Sequence, residues 1–535
     1  MCTYTTDNAA AANTANNAGA THTARAAAAS PHTQHAPREV FPTLDTLTQL
    51  ARQQTYTIAP IACELDSHFT TPLDVLRVLQ TVSHHVYLLE SARQAHARGR
   101  YSFLGFNPKL TIFCENETLH IGDVELPARN PTEAIRQLLR KYKSPHLPNM
   151  PSFTGGLVGY IAFEYLRYKE PTLTAALGAT ANAAANPPMH QTPARDLDLM
   201  LFDKVIAFDN KTHKLILIVN IKLNHVEEHY RKGVFELNEL IQLLNTPAPL
   251  RNEEGHVTSP ITAACTKQEF CNTVRRVQTH IQNGDIFQFV LSNQMSARFT
   301  GSLLGTYREL RRINPSPYMF YFCGTDIEVA GASPETLVEL KEGVLHTYPL
   351  AGTRPRGTTP QEDDARAAEL LADKKECAEH NMLVDLGRND LGRISTFGSV
   401  VVEKFHAIEK FSHVMHIGST VRGHIQHGFD ALDAIAAVMP AGTLSGAPKI
   451  RACELIGTFE KVKRGIYGGA LGYIDFTGNM DMCIGIRLIY KKAGRVFVHT
   501  GAGIVADSVP EHEFNECIHK AKSSFAALGY TGEVE

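Results

Sequence analysis

The chain has 535 residues, of which 43% are hydrophobic and 20% charged, enough for one large or two to three ordinary globular domains. A formal charge of -3 gives no electrostatic case for nucleic acid, and the longest apolar runs, such as Leu215-Ile216-Leu217-Ile218-Val219, are strand-sized and far short of a membrane span. The ten cysteines are scattered without a CxxC pair, so they read as reduced intracellular thiols in a cytoplasmic protein, with neither a zinc site nor a disulfide scaffold.

Residues 1–38 are Ala, Thr, Asn and His in no period and are expected to be a disordered extension. Acids are scarce there, but a single Arg among the first 30 residues and no amphipathic arc argue against a transit peptide. Short β-like runs follow at Tyr87–Leu89, Leu110–Phe113, Thr118–Ile121, Gly156–Tyr160, Val205–Phe208 and Lys214–Val219. Amphipathic helical patterns lie at Pro131–Leu139 and Val226–Leu244. The Ala-rich stretch 172–193, with Pro187-Pro188, reads as a surface-loop insertion. Pro247–Pro260 reads as a linker between an N-terminal region, 40–246, and a C-terminal domain, 262–532. Strands and helices alternate without strict βαβ order in that second part, which favours an α+β layered sandwich over a doubly wound fold.

Two acidic clusters stand out in the last third, Glu376 with Glu379 and Glu513 with Glu516. A spacing of three places both carboxylates of a pair on one helix face, roughly 60° apart at about 100° per residue. The first helix is expected to begin at Thr359, with Pro360 at its first position and Glu362 completing a capping box, and to run on through Leu383. The second is expected to open on a Ser508 and Glu511 box. A lone Glu-x-x-Glu is ordinarily a solvated face; two pairs bordering apolar stripes suggest oxygen ligands for a hard cation. Four glycine-bearing turns, at Leu350–Gly357, Ala441–Lys449, Tyr467–Ala470 and His499–Gly503, could bring backbone amides to an anion, and Arg487 lies on a strand-like run. Together they suit a small substrate with several carboxylates.

The motifs PLAGTRPRG, the run from Glu379 to Arg393, SHVMHI, AGTLSGAPK, YGGALGY and HTGAGIVADSVP resemble those of the chorismate-utilising enzymes, most closely the anthranilate synthase component I family. The resemblance covers nearly all of the chain from about residue 40, outside 172–193. It implies a layered α/β/β/α sandwich and a lyase of tryptophan biosynthesis that turns chorismate and ammonia into anthranilate and pyruvate. It further implies Mg2+ on Glu379 and Glu516, supported by Glu376 and Glu513 through water. Chorismate would meet Gly352, Thr353, Tyr467, Arg487 and Gly501-Ala502-Gly503. Glu335 would be the general acid for departure of the ring hydroxyl, His416 would serve the elimination, and Thr443 would orient substrate.

Two positions separate this chain from its sister enzymes. Isochorismate and salicylate synthases use a Lys to activate water where Gln288 stands, and aminodeoxychorismate synthases usually carry Lys where Ala351 stands. Both positions point to anthranilate; the alternatives kept beside that reading are aminodeoxychorismate synthase component I and an inactive tryptophan-binding regulatory paralogue. The resemblance also implies allosteric feedback inhibition by L-tryptophan, bound by Glu90, Ser91, Pro317, Tyr318 and Met319. The chain departs from the usual pattern at Gln294, where relatives commonly have Arg, and at 92–97. No Gly-x-Cys-x-Gly elbow is present, so glutamine-derived ammonia would come from a glutamine amidotransferase small subunit in a hetero-oligomer.

Overall fold

The computed structural model describes residues 39–534 apart from 67–68, 70, 93–98, 116, 179–193, 247–253 and 412–413. The expected extension at 1–38, most of the expected insertion and half of the expected linker lie outside the described residues. Residues from Glu39 onward form one compact unit.

Two large sheets, of fourteen and twelve strands, carry the fold. Their named strands pair antiparallel throughout, and each sheet draws on both halves of the chain. In the first, Val86–Glu90 pairs with Tyr318–Cys323, with Glu90 opposite Met319. In the second, Gly156–Ile161 pairs with Ala470–Asp475, with Tyr160 opposite Leu471. The segments 40–246 and 262–532 therefore share both sheets.

Strand alternation explains the layering. Tyr87, Phe320 and Phe322 from the first sheet meet Tyr160, Phe202 and Leu471 from the second in one buried cluster between them. Their neighbours Leu88, Met319 and Tyr321 face the other way, into a cluster with Leu76, Leu79, Leu237 and Phe525 from helices. The outer face of the second sheet is covered in the same manner by Ile135, Val384, Leu391 and Ile435. The result is helix, sheet, sheet, helix, the α+β sandwich expected. Strands buried on both faces are apolar at nearly every position, which is why they stand out in the sequence.

Local corrections have identifiable causes. The first acidic helix is two helices, Pro360–Ala372 and Lys374–Gly392, because Asp373 leaves helical geometry and its side chain accepts from the amides of Lys375 and Glu376. Thr359 does cap the first helix, but Glu362 reaches back to Thr358 rather than closing a box. The second acidic helix, Pro510–Ala527, has Val509 at its cap; Ser508 bonds Val505, and Glu511 pairs with Arg275. The start of the 172–193 stretch is helical, not loop: Leu173 and Leu177 are buried against Ala452 and Leu455 of the helix Lys449–Phe459. Within the expected linker, His256–Val257 is a strand opposite Phe299 and Thr300.

Candidate active site

Two places where the chain crosses from one sheet to the other lie side by side. Ile327–Ser333 ends in the first sheet and Thr336–Lys341 begins in the second, which leaves Pro334-Glu335 at the crossing. Met480–Ile484 ends in the second sheet and Leu488–Lys492 begins in the first, which leaves Gly485 to Arg487 at the other. Ser333 Oγ donates to the Ile484 carbonyl at 2.7 Å and the Ile484 amide donates to the Glu335 carbonyl at 3.0 Å, stitching the crossings together. Arg487 is accordingly not on a strand; it sits just before one at φ 54°, a left-handed conformation uncommon for a side chain of its size.

Glu335 is partly exposed, yet protein encloses its carboxyl closely enough that desolvation pushes it up to about 7, against the lowering effects of a Thr443 hydrogen bond and the Lys520 charge. Thr443 Oγ1 donates to Glu335 Oε1 at 3.1 Å, from the single helical turn Gly442–Ser445. Desolvation also lowers the His416 imidazole, opposed by its bond to Gly352. Its Nδ1 lies 2.8 Å from the Gly352 carbonyl and 3.2 Å from Thr353 Oγ1. A carbonyl only accepts, so Nδ1 carries the proton and the neutral ring presents the Nε2 lone pair.

The opposite wall is the strand Arg495–Ile504, where Gly501, Ala502 and Gly503 pair with Ser292, Leu291 and Val290. A Cβ on Gly501 would stand 2.6 Å from the Tyr467 hydroxyl and 2.8 Å from the Leu291 carbonyl. Only glycine lets that strand and that hydroxyl approach so closely. Gly501→Ala is expected to destabilise the fold by about 1–3 kcal/mol, the cost of overpacking, and chemical denaturation checks it. Tyr467 itself stacks on His499, centroids 4.5 Å apart. Arg487 Nη1 donates to the Lys520 carbonyl at 2.9 Å, and among the described residues no carboxylate lies within ion-pair distance of its guanidinium. Burial lowers its pKa, while Tyr467 and Glu516 favour the charge. A half-buried cation with no carboxylate in direct contact is a place for a substrate carboxylate.

Glu376 and Glu379 project from one helix and Glu513 and Glu516 from the other. Glu379 is raised by burial, then by Glu376 and, across the gap, by Glu516, and Glu513 is raised by burial and by Glu516. Glu379 and Glu516 remain exposed while Glu376 and Glu513 are half-buried. Among the described residues no three acidic, His or Cys side chains converge as a ready-made metal cage. Opposed carboxylates with open faces nevertheless fit Mg2+, which keeps waters and takes few protein oxygens alongside those of substrate. Gly352 borders this group; at φ 64° it places its Cα hydrogen where a Cβ would stand 3.2 Å from Glu376 Oε2.

The residue that ties the site together was not singled out by sequence. Lys520 Nζ lies 2.6 Å from Glu516 Oε1 and donates to the Gly501 carbonyl at 3.0 Å, and its charge reaches Glu335 and Glu379. Its position four residues after Glu516 was the available signal. Gln288 is buried beside Gly503, and among the described residues its Oε1 has no hydrogen-bond partner.

A separate cavity of about 180 Å³ lies between the sheets, and Glu90, Ser91, Pro317, Tyr318 and Met319 all line it. Its other wall, Leu471 to Tyr473, Asp481 and Cys483, comes from the second sheet, and although Leu471 to Tyr473 end the YGGALGY motif, nothing in the sequence tied them to this cavity. Glu90 accepts from Tyr307 Oη at 2.7 Å and Arg311 Nη2 at 3.0 Å; burial raises its carboxyl against these contacts. Tyr318 Oη bonds Asp481 and Thr336 at 2.7 and 2.8 Å, and Thr336 adjoins Glu335. Gln294 is buried and donates to Tyr490 Oη, while 93–98 lies outside the described residues.

Known proteins resemble this chain in sequence and in fold. The chorismate binding enzyme family matches residues 84–526. Anthranilate synthase component 1 of Acetivibrio thermocellus is 39% identical over 508 residues, 92% of this chain and 99% of that protein. Its namesake from Pseudomonas aeruginosa is 40% identical over 483 residues, 88% of this chain and 96% of that one. The solved structure of anthranilate synthase component I from Streptococcus pneumoniae gives a TM-score of 0.69 at 37% identity, covering 79% of this chain and 92% of that one. The menaquinone-specific isochorismate synthase of Escherichia coli shares the fold, with a TM-score of 0.64 at 18% identity over 91% of this chain and all of that one. The chain belongs to the chorismate binding enzyme family, among the proteins named anthranilate synthase component 1.

Proposed function

We propose that the protein converts chorismate and ammonia to anthranilate and pyruvate, with Mg2+, and that L-tryptophan inhibits it. Ammonia adds at ring carbon 2 and the carbon 4 hydroxyl departs as water; loss of the carbon 2 proton with release of pyruvate then makes the ring aromatic. The observation that carries this reading is Glu335, an acid pushed up to about 7, because hydroxide leaves poorly unless protonated. Neutral His416, which presents its Nε2 lone pair, suits the proton removal. Tyr467, Arg487 and the amides of Gly501 to Gly503 would hold one carboxylate, with Gly352, Thr353 and Thr443 orienting the ring. Glu379 and Glu516 would hold Mg2+, supported by Glu376 and Glu513; when bound it supplies a countercharge for the ring carboxylate. Gln288 and Ala351 favour this outcome over the sister reactions: without a lysine base water is a poor nucleophile, whereas free-base ammonia needs none.

The cavity lined by Glu90, Ser91 and Pro317 to Met319 is the proposed tryptophan site, coupled to catalysis by differential affinity for two packing states. A glutamine amidotransferase small subunit would deliver ammonia in the cell. The test is anthranilate fluorescence with chorismate, Mg2+ and ammonium at raised pH, with and without tryptophan. Anthranilate formed only with Mg2+, and suppressed by tryptophan, is expected. An aminated, unaromatised product would identify the aminodeoxychorismate alternative, and no turnover would leave the regulatory paralogue. The chain contains no tryptophan, so indole fluorescence reports the bound inhibitor directly.

A further inference from the structure

Arg464 is 1% exposed and its guanidinium holds three walls of the site at once. Nη1 donates to the Leu444 carbonyl at 2.5 Å, next to Thr443. Nη2 donates at 2.8 Å to the carbonyl of Val290, the residue opposite Gly503. The guanidinium carbon lies 5.8 Å from the centre of the Tyr467 ring. Its charge is balanced by Glu460, bonded through Nε at 2.8 Å and Nη2 at 2.6 Å. Glu460 in turn accepts from the Ser292 amide and hydroxyl at 2.9 and 2.8 Å, and Ser292 Oγ meets His499 Nε2 at 2.9 Å, beneath the ring of Tyr467. From the other side Glu164 fixes the backbone, accepting from the amides of Arg464 and Gly465 at 2.7 and 3.0 Å.

We propose that Arg464 is a positioning residue, which sets the mutual placement of Thr443, Tyr467 and the Gly501–Gly503 strand for reaction; this rests on the reading that those groups hold chorismate. Stability alone does not account for such a residue, since buried ion pairs are often replaceable by apolar side chains at no loss. Geometry does: a planar fork can serve a carboxylate and two carbonyls in fixed directions, whereas a lysine ammonium is a single point with three donors. Displacement of reacting groups by about 1 Å can cost on the order of 100-fold in rate.

The test is Arg464→Lys in the full chain, assayed with chorismate, Mg2+ and ammonium and normalised to folded protein. The expected result is kcat lowered about 100-fold with KM for chorismate raised about tenfold. The control is Arg167→Lys, which alters another buried arginine, paired with Asp196 at 2.7 Å; its kcat and KM are expected to stay within twofold of the parent's. Kinetic constants for folded Arg464→Lys within twofold of the parent overturn the inference. If that variant does not fold, Ser292→Ala decides, since it cuts the limb from Glu460 to His499: a fivefold or greater rise in KM supports the inference, and a smaller change overturns it. A parent enzyme that makes no anthranilate overturns the underlying reading and the inference with it.

Discussion

Glu379→Gln is expected to lower Mg2+-dependent anthranilate formation by about 10³-fold or more, equivalent to about 4 kcal/mol of transition-state stabilisation. The fold is expected to survive, with a thermal midpoint within about 2 °C of the parent's, because the side chain is exposed. The residual effect on stability has a definite sign. Burial, Glu376 and Glu516 all raise the Glu379 carboxyl, so the folded state binds more protons than the unfolded chain just above the ordinary carboxylate range. Stability contributed by this group therefore falls as pH rises through that window, and the amide removes the dependence. Melting curves across that range, with chelator and then with Mg2+, measure both parts. Stabilisation by Mg2+ is expected in the parent and absent in the variant. Turnover like the parent's would sink the metal assignment.

The second large effect is expected at Glu335. Glu335→Gln keeps the shape and the contact with Thr443 but cannot give up a proton, so turnover is expected to fall by about 10²–10⁴-fold, the usual worth of general acid catalysis. The pH profile discriminates this loss from simple disruption. With the acid pushed up to about 7, the protonated and active form predominates below that value. Measured at a fixed concentration of free-base ammonia, the parent's rate is expected to decline as pH rises through about 7, while the variant's low rate shows no such limb. A parent profile rising through that pH, together with a variant within tenfold of the parent, would remove Glu335 from the role.

The parts of this site that could be read from sequence are those whose signal is local. The two acidic pairs are three residues apart on single helices, and Gly501 to Gly503 lie consecutively on one strand. What sequence could not place depends on pairing between distant segments. Arg487 looks like a strand residue until Gly485 to Arg487 is seen to pass between sheets, and Lys520 reads as an ordinary solvated lysine until the Gly501 carbonyl and Glu516 are found beside it. The break at Asp373 was missed because the apolar stripe continues on both sides, while a capping side chain competes for the backbone between them. The motifs read as an inhibitor pocket supply one wall of their cavity; Leu471, Tyr473 and Asp481 arrive from the other sheet.

The sharing of both sheets by both halves of the chain also governs when the protein can fold during synthesis. Val86–Glu90 leaves the ribosome long before Tyr318–Cys323, and Gly156–Ile161 long before Ala470–Asp475. At about 5–20 residues per second these early strands wait on the order of 10–60 s with open edges, and open apolar edges are templates for wrong pairing. A chain cut short before Arg495–Ile504 lacks the strand that joins Gln288–Thr300 to Leu488–Lys492. Slower, cooler expression should therefore raise the yield of soluble enzyme, and a nonsense codon late in the gene should be as damaging as one near its start.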